Sequence, residues 1–584
     1  MYILGISAYY HDSAAVLIKD GVVLCGAEEE RFTRKKHDNN FPFQAIDFCL
    51  KNSKLSIKDI DYISYYEKPL LKFERLMETF VETYPFSLKV FLKGMPEYLD
   101  YKIKIEKTIK SKLKYKGKVF FIPHHLSHAS ASYYASSFTS AAVLTVDGVG
   151  EYQTTALWKG SGNTLELLKS IDFPDSLGLL YSTFTAFLGF KINEDEYKVM
   201  GLAAYGKPKY VKQVYKLIKV KEDGSFKLDQ NYFGYRQTFK MWNDKFEKVF
   251  GGPRKPEDTM TQKHKDIAAT IQQVTEEIYF KILNHLYSEV NISNHKSRRR
   301  RGSPEAAVIS NLCLSGGVAL NALANGKIYE NTPFKNIYVF GAAGDSGGAL
   351  GSALFTHYHV LNNNKRNEIN DLYFGTSYKD RGIESELNIK ELEFKKFKSE
   401  KEMIYNAAKL LSQGKIIGWF QGKMEFGPRA LGARSILSSP NPRRMKEKVN
   451  IIKIREQFRP FAGSILQEKV HEYFNVPEKN HWSPFMIFCF KVKKEKRKEL
   501  AAIVHEDNTC RIQTVNKEDN GLYYKLIKEF YRLTNIPCVL NTSFNLKGEP
   551  IVENPKQAIE DFLKTKMDYL VIGDYLVPRV SDRG

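Results

Sequence analysis

The 584-residue sequence is poor in cysteine, and its six cysteines are scattered along the chain without a CxxC pair. This distribution argues against a disulfide framework and against a zinc site built on thiolates. No apolar run approaches the length of a membrane span, and residues 1–8 lack the basic start of a secretory signal. We therefore expect a cytoplasmic protein with reduced thiols and no membrane partner.

Acidic residues are also in deficit, because 67 Asp and Glu stand against 88 Lys and Arg, a formal net charge of +21. The excess cations can bind nucleic-acid phosphates, or they can lie on a solvated surface that also favours anionic substrates. The lysines are spread along the chain, and the dense cluster Arg298–Arg301 lies in a polar stretch interpreted as a mobile loop, 293–304. This spread favours the solvated surface and leaves nucleic-acid binding as the alternative.

Length and composition indicate more than one domain. Hydrophobic residues make up 43% and charged residues 27% of the chain, which is ordinary for a globular protein. The polar stretch Asn362–Asn367 is a candidate boundary. We predict a first domain over residues 1–361, a linker over 362–385 and a second domain over 386–584.

Two histidines and two aspartates form a candidate metal site. His124 and His128 are four residues apart, which places both imidazoles on one face of a helix. Asp147 and Asp345 each follow a predicted buried strand, so both are expected at strand ends. Two imidazoles and two carboxylates suit Fe(II), Mn(II) or Zn(II). From the histidine stretch alone, ordinary polar histidines at a helix start are the alternative.

Glycine-rich turns follow three predicted buried strands. They lie at Asp147–Gly150, Ser315–Gly317 and Gly341–Gly348, and a helix is predicted after the last of them, from Ala349. Glycines at such turns allow the backbone to approach a phosphate or ribose, and the following helix N-terminus favours anions. The repetition predicts an α/β, actin/hexokinase-like ATPase fold that holds a nucleotide between two α/β halves.

A His-Asp pair, His11 and Asp12, lies between predicted strands 2–7 and 14–19. It could supply a general base and a carboxylate that orients it, or Asp12 could merely stabilise the turn. Lys36 lies in the charged segment Glu28–His37. That segment could reach an anionic ligand or could be a solvated face.

Arginines lie beside glycine and proline in two C-terminal stretches, 424–435 and 450–461. This setting suits bidentate capture of phosphate oxygens, with a surface salt-bridge network as the alternative. Stretches 509–514 and 541–545 add hydroxyl and amide groups beside apolar strands. Such groups commonly complete a nucleotide site.

Ten motifs in one order resemble the O-carbamoyltransferases, the family of nodulation protein U and of antibiotic-tailoring carbamoyltransferases. The resemblance covers nearly the whole chain. The motifs are HDSAAVL at His11, EEERFTRKKH at Glu28, HHLSHA at His124, VDGVGE at Val146, DEYKVMGLAAYG at Asp195, LSGGVALN at Leu314, AAGDSGGALG at Ala342, MEFGPRALGARSIL at Met424, REQFRPFA at Arg455 and NTSFNLKGEPIV at Asn541.

The resemblance implies an actin/hexokinase-like ATPase-fold domain followed by a YrdC-like α/β domain. It implies that carbamoyl phosphate and ATP, with Mg²⁺, form carbamoyl-adenylate in the C-terminal domain. The N-terminal domain would then transfer the carbamoyl group to a hydroxyl of a small acceptor such as an antibiotic, a sugar or a related natural product. Fe(II), or another divalent metal, is the implied cofactor, and a homo-oligomer is allowed.

The resemblance also implies a role for each candidate residue. His124, His128, Asp147 and Asp345 would bind the metal. His11 would remove the proton of the acceptor with Asp12 as its neighbour, for which an unperturbed histidine pKa of about 6.5 is suited. The positions that match the nucleotide-contacting region of the N-terminal domain are Lys36, Gly178, Gly316, Gly317 and Asn321.

In the C-terminal domain, the matching cations would neutralise the phosphates as they react. These cations are Arg429, Arg434, Lys453, Arg459 and Arg511. Asn541 and Ser543 would hold the nucleotide or the carbamoyl group by hydrogen bonds.

Two other functions are compatible with parts of the sequence. A nucleic-acid (tRNA) binding or modifying protein of the same superfamily would use the net charge and Arg298–Arg301. A sugar kinase would explain the N-terminal half but would give the arginine-rich C-terminal domain no task. The acceptor surface is expected around residues 66–110 and 207–260, without a residue-specific prediction.

Overall fold

A computed structural model describes residues 1–301 and 308–579, which form two compact units. The first unit contains Met1–Cys25, Asn39–Ala324 and Ile328–Ile369. The second contains the chain from Asn370 together with two short pieces, Gly26–Asp38 and Asn325–Lys327. The boundaries at residues 361 and 386 remain a prediction.

Two five-stranded mixed sheets form the framework of the first unit. The order is β3-β2-β1-β4-β5 in one sheet and β12-β11-β6-β7-β8 in the other, while β9 and β10 form a separate pair. The strands are β1 (Tyr2–Ser7), β2 (Ala14–Lys19), β3 (Val22–Glu28), β4 (Tyr62–Tyr65), β5 (Lys118–Phe121), β6 (Ser140–Val146), β7 (Gln153–Ser161), β8 (Thr164–Asp172), β9 (Ile218–Val220), β10 (Phe226–Leu228), β11 (Asn311–Ser315) and β12 (Asn336–Val339).

Helices cover these sheets, apart from α1, which lies in the Gly26–Asp38 piece of the second unit. The helices up to residue 355 are α1 (Glu30–Thr33), α2 (Phe43–Asn52), α3 (Pro69–Thr83), α4 (Leu88–Glu97), α5 (Ile105–Lys112), α6 (His124–Tyr133), α7 (Leu177–Phe187), α8 (Glu196–Ala203), α9 (Val211–Val214), α10 (Asp244–Phe250), α11 (Gln262–Arg301), α12 (Ala322–Asn331) and α13 (Asp345–Phe355).

The strands of the first unit place their carboxyl ends at shared edges. Strands β1, β4 and β5 run parallel, and so do β6, β11 and β12. The central residues of β1, β6 and β11 are buried and mostly apolar, as expected where helices cover both faces of parallel strands. The turns that follow parallel strands therefore gather at one edge of each sheet, where α/β proteins bind ligands.

Helix α11 corrects one prediction. The stretch 293–304 was expected to be a loop, but residues 293–301 continue this helix to Arg301. The sequence from Gln262 to Arg301 contains no glycine or proline, and lysine and arginine are good helix formers. The backbone of Arg298–Arg301 is thus helical, while its side chains and residues 302–307 lie outside the described part.

The second unit contains one nine-stranded mixed sheet in the order β13-β21-β20-β14-β15-β19-β16-β18-β17. Its strands are β13 (Lys395–Lys396), β14 (Ile417–Phe420), β15 (Arg434–Ser438), β16 (Ala462–Leu466), β17 (Phe488–Lys491), β18 (Thr509–Val515), β19 (Cys538–Ser543), β20 (Tyr569–Ile572) and β21 (Tyr575–Pro578). Its helices are α14 (Asp380–Ile389), α15 (Glu400–Ser412), α16 (Arg444–Ile452), α17 (Val470–Tyr473), α18 (Gly521–Thr534) and α19 (Pro555–Lys564).

The α/β class predicted for the chain is confirmed. The apolar faces of α15 and α18 cover the sheet of the second unit in a cluster that includes Trp419, Leu526 and Val539. None of the helices in residues 1–301 and 308–579 combines the length and the hydropathy of a membrane-spanning segment.

A close helix crossing fixes the geometry of the first unit. An ideal Cβ on Gly351 of α13 would lie 1.9 Å from the carbonyl oxygen of Ser127 in α6. A side chain of any size at this position would therefore push the two helices apart. The same two helices begin at Asp345 and His124, so their separation also sets the distance between those residues.

We expect Gly351→Ala to lower the free energy of unfolding by about 3 kcal/mol, since overpacking forces the backbone to shift. Chemical denaturation followed by circular dichroism measures this change. Gly94→Ala is the matched control, because Gly94 also lies in a helix of the first unit and its Cβ would meet no atom within 4 Å. The control should be neutral or stabilising by up to about 1 kcal/mol. Equal losses in both variants would show that the crossing is not tightly packed.

Candidate active sites

Four side chains converge in the first unit, at the ends of three elements. His124 and His128 project from one face of α6, as their spacing predicts, and Asp147 follows β6 directly. Asp345 is the first residue of α13 rather than the end of a strand, because β12 stops at Val339 and a turn intervenes. The helix expected from Ala349 thus begins at Asp345. A carboxylate is favourable in the first turn of a helix.

Ligand atoms of these four residues all lie within 4.8 Å of one another, and all four residues are buried. The Nε2 atom of His124 is 3.0 Å from Oδ2 of Asp147 and 3.1 Å from Nε2 of His128. His128 Nε2 is 3.4 Å from Oδ1 of Asp345. The cluster therefore has the dimensions of a single-ion site.

The donor set fits a divalent cation. Both oxygens of the fully buried Asp345 carboxylate lack a hydrogen-bond partner among the described residues. Two carboxylates buried this close together are costly, and a bound cation would offset their repulsion. Two imidazoles and two carboxylates offer the mixed nitrogen and oxygen ligands that Fe(II), Mn(II) and Zn(II) accept.

Neighbouring groups hold these ligands in place. The carboxylate of Glu151 accepts hydrogen bonds from the backbone N–H of His124 and, at 2.7 Å, from that of Lys68. Asp147 Oδ1 accepts a 2.9 Å hydrogen bond from the backbone N–H of Gly317. Contacts of this kind orient ligating side chains before an ion binds.

Without a metal, the pKa values of the clustered side chains depend on their burial and on one another's charges. Burial lowers the pKa of His128, but the adjacent carboxylates of Asp147 and Asp345 outweigh burial and raise the pKa to about 9. Burial resists ionisation of Asp147, yet the two imidazoles hold its pKa well below the usual value. His125 differs, because burial and the His124 charge lower its pKa to about 3, and its Nδ1 lies 2.8 Å from Thr145 Oγ1.

His11 and Asp12 lie beside this cluster. The Nδ1 atom of His11 is 2.9 Å from Oδ2 of Asp12, and its Nε2 is 3.9 Å from Oδ2 of Asp345. The expectation of an unperturbed pKa is wrong. Burial lowers the pKa of His11, but the carboxylates of Asp345 and Asp12 overcome this and raise it to about 10. A divalent cation on Asp345 would offset part of that negative charge.

The predicted glycines shape the turns around the cluster. Gly178 is the second residue of α7, and Gly316 and Gly317 follow β11. Gly316 has a φ of +91°, and a Cβ there would lie 2.3 Å from the carbonyl oxygen of Val146. Only glycine is compatible with this conformation and this approach.

Asn321 has local partners. Its side-chain oxygen caps helix α12 by accepting from the N–H of Ala324, and its amide pairs with Gln272. Lys36 lies in the Gly26–Asp38 piece of the second unit rather than in the first. The assignment of Lys36, Gly178, Gly316, Gly317 and Asn321 to a nucleotide site is untested.

The predicted cations of the second unit have different surroundings. Arg434 is fully buried, donates to the carbonyl oxygens of Gln421 at 2.9 Å and Thr376 at 3.0 Å, and stacks 3.6 Å from the Phe420 ring centroid. Burial lowers the pKa of Arg434 to about 10, and Glu425 opposes this effect. Its observed contacts hold the strands and loops around it.

Lys453 is buried at the end of α16. Its Nζ donates to Oδ1 of Asn545 at 2.8 Å and to Oγ of Ser543 at 3.3 Å. Burial lowers the pKa of Lys453 well below its usual value, and the charges of Arg455 and Arg459 lower it further.

Two more predicted arginines, Arg429 and Arg511, both act electrostatically on the thiol of Cys489, so they lie near the same point. Asn541 on β19 donates to Oγ of Ser464 at 3.0 Å and to Oε1 of Gln513 at 3.2 Å. Asn541, Ser464 and Arg511 therefore lie on adjacent strands, β19, β16 and β18. Arg434, Arg511 and Asn541 thus lie on one sheet, whereas Arg429, Lys453 and Arg459 lie in the segments between its strands.

Sequence reasoning missed three carboxylates that position these groups. Glu151 holds the start of α6. Glu425 Oε1 accepts from the backbone N–H groups of Leu431 and Ala433, each at 2.7 Å. Glu28 accepts from the N–H of Gly427, close to Arg429 in the chain. All three lie inside the quoted motifs, each within two residues of a glycine. An acidic residue near a glycine inside a motif was the available signal.

Comparison with known proteins identifies the chain. The family model described as carbamoyltransferase N-terminus matches residues 2–354, and the model described as carbamoyltransferase C-terminus matches residues 408–579. An uncharacterized protein of Synechocystis sp. is 43% identical, covering 99% of this chain and 97% of that protein. Nodulation protein NolNO of Sinorhizobium fredii is 35% identical, covering 98% of this chain and 80% of that protein.

A solved structure is also similar to this chain. Component A of the (R)-2-hydroxyglutaryl-CoA dehydratase of Acidaminococcus fermentans is 14% identical, with a TM-score of 0.30, covering 62% of this chain and 99% of that chain. The two family models together match most of the sequence, including the four convergent ligands and the buried cations. The chain therefore belongs to the carbamoyltransferase family and is a carbamoyltransferase.

Proposed function

We propose that this carbamoyltransferase is ATP-dependent and works through carbamoyl-adenylate. In the second unit, carbamoyl phosphate and water give carbamate and phosphate. A carbamate oxygen then bonds to the α-phosphorus of ATP, held with Mg²⁺, as the bond to pyrophosphate breaks. In the first unit, an acceptor hydroxyl oxygen bonds to the carbamoyl carbon, the bond from that carbon to the AMP oxygen breaks, and AMP leaves.

The charges of the second unit support the first reaction. Carbamoyl phosphate and ATP are both strongly anionic, so a site for them needs fixed positive charge. The charges of Arg455 and Arg459 act on the buried Lys453, and those of Arg429 and Arg511 act on Cys489. A bound phosphate would offset the repulsion that lowers the pKa of Lys453.

Residues of the first unit support the transfer. His11 would take up the hydroxyl proton at Nε2 when neutral, while Asp12 holds its Nδ1. Gly317 is exposed, so a nucleotide phosphate would approach the backbone there and not at the buried Gly316. A divalent cation held by His124, His128, Asp147 and Asp345, proposed to be Fe(II), would supply Lewis acidity.

One observation carries this proposal, the buried convergence of two imidazoles and two carboxylates beside the His11–Asp12 pair. Purely structural packing does not explain a carboxylate with no hydrogen bond at Asp345. The proposed acceptor is a hydroxylated small molecule.

We expect His128→Ala to lose the bound metal and to reduce carbamoyl transfer by at least about 100-fold, since a ligating side chain is removed. Adenylate formation from radiolabelled carbamoyl phosphate and ATP should stay within about twofold, because that chemistry is assigned to the second unit. Elemental analysis of the purified protein measures the metal, and supplied carbamoyl-adenylate isolates the transfer step.

His125→Gln is the matched control for the metal site. His125 lies on the same helix, but its imidazole pairs with Thr145 instead of the cluster. This variant should retain the metal. Equal loss of both half-reactions in His128→Ala would contradict the division of chemistry, and full metal content in that variant would contradict the ligand assignment.

We expect Lys453→Ala to slow adenylate formation by roughly 100-fold or more, because a preorganised cation at the phosphates is lost. Transfer from supplied carbamoyl-adenylate should be unchanged. Pyrophosphate release measures the first step. Lys448→Ala is the control, since Lys448 is exposed on the same helix.

Normal pyrophosphate release by Lys453→Ala would remove Lys453 from the proposed site. Failure of the wild-type protein to make carbamoyl-adenylate with any divalent metal present would refute the adenylate mechanism itself.

A further inference from the structure

Arg75 on α3 is a buried cation that lacks a partner of opposite charge. Its side chain is 7% exposed, and its Nε atom has no hydrogen-bond partner. Among residues 1–301 and 308–579, no carboxylate forms an ion pair with its guanidinium group. The guanidinium carbon lies 4.8 Å from the Phe173 ring centroid. Buried charges are normally paired, because an unpaired one has lost its hydration without a replacement.

Two carboxylates act electrostatically on Arg75, but neither of them binds it. Glu67 is fully buried, and its Oε2 atom accepts a 2.6 Å hydrogen bond from Lys72 Nζ. Its Oε1 atom has no hydrogen-bond partner among the described residues, so Arg75 does not reach it. Glu151 accepts from backbone N–H groups. Burial lowers the pKa of Arg75, and the opposing charges, which include these two carboxylates, do not restore it.

Two lysines lie over the Tyr10 ring on the side of α3. Lys72 precedes Arg75 by three residues, so both side chains leave the same face of the helix. The Lys72 ammonium group lies 5.0 Å from the Tyr10 ring centroid, and that of Lys102 lies 5.6 Å from it. Such cation–π contacts hold a cation without neutralising its charge. Helix α3 therefore presents positive charge toward Tyr10.

Tyr10 joins these cations to the proposed transfer site. Its ring centroid lies 4.6 Å from that of His11, and both residues are partly exposed. Its phenol oxygen lies 4.0 Å from the position of an ideal Cβ on Gly148, the residue that follows Asp147. One aromatic ring thus separates Lys72 from His11. A molecule of the length of a sugar ring could contact His11 at one end and the cations at the other.

We propose that Arg75, together with Lys72 and Lys102 beside Tyr10, forms an oxyanion-binding site next to the transfer chemistry. Its ligand is a carboxylate, sulfate or phosphate group, because a guanidinium group binds two oxygens of such a group at once. The proposed reaction offers two sources, an acidic substituent of the acceptor and the phosphate of carbamoyl-adenylate. The choice of source rests on the proposed function, whereas anion binding at Arg75 can be measured without catalysis.

Two matched pairs of probes distinguish the sources. Methyl β-D-glucuronide and methyl β-D-glucoside differ in one carboxylate, and AMP and adenosine differ in one phosphate. Calorimetric titration of the full chain should show at least about tenfold tighter binding of the anionic member in one of the pairs. A preference for the glucuronide assigns the site to the acceptor, and a preference for AMP assigns it to the nucleotide. No preference in either pair would overturn the proposal.

The variant Arg75→Met removes the charge and nearly keeps the volume of the side chain. It should reduce the preference for the anion to within about twofold, whereas Arg75→Lys should stay within about threefold of the wild-type affinity. Lys58→Gln is the matched control, because Lys58 is an exposed cation of the first unit between α2 and β4. An equal loss in this control would show that net charge, and not a site, attracts the anion.

Thermal stability distinguishes a ligand site from a structural arginine. Arg75→Met removes an unpaired buried charge, so the denaturation midpoint of the unliganded protein should be unchanged or higher. Differential scanning calorimetry in chloride buffer measures it. A clear fall of the midpoint, as expected if Arg75 neutralises Glu67, would overturn the proposal, and so would an unchanged anion preference in Arg75→Met. Failure of carbamoyl-adenylate synthesis would leave both results standing, which separates this inference from the proposed function.

Discussion

Two carboxylates buried beside two imidazoles are the constraint on which the first unit depends. Asp147 and Asp345 are withdrawn from water, and Asp345 has no hydrogen-bond partner in the described part of the chain. Negative charge at this density requires a compensating cation. Protons on His128 and His11 provide it in the metal-free protein, which is why their pKa values rise to about 9 and about 10. A divalent ion would replace those protons with a fixed charge.

The helices are arranged to meet that constraint. Gly351 allows α13 and α6 to approach closely, and Gly317 and Glu151 fix Asp147 and His124 by backbone hydrogen bonds. The glycines therefore contribute to function through distance, since they determine how near the four ligands can come. Separation of the helices by even one methyl group would change the size of the site.

The second unit buries positive charge, whereas the ligand cluster of the first unit buries negative charge. Its buried cations, Arg434 and Lys453, are balanced mainly by carbonyl and amide oxygens and not by paired carboxylates. Dipoles satisfy the N–H donors without cancelling the net charge, so positive potential remains for phosphates. Glu425, one of the carboxylates whose charge acts on Arg434, is held by backbone N–H groups of the same loop. Arg434 itself donates to backbone carbonyls around it, and its role at the phosphates stays a prediction.

The sequence by itself determined the α/β class, the first three strands, the helical placement of His124 and His128, and the family through ten ordered motifs. These features are local, because strand periodicity, helix spacing and glycine turns are properties of short segments. Tertiary structure alone decided that Asp345 is the first residue of a helix, that the backbone of Arg298–Arg301 is helical and that the pKa of His11 is raised. It also decided the placement of Lys36 in the second unit. Burial and charge at a point depend on segments far apart in the chain, and no single segment contains that information.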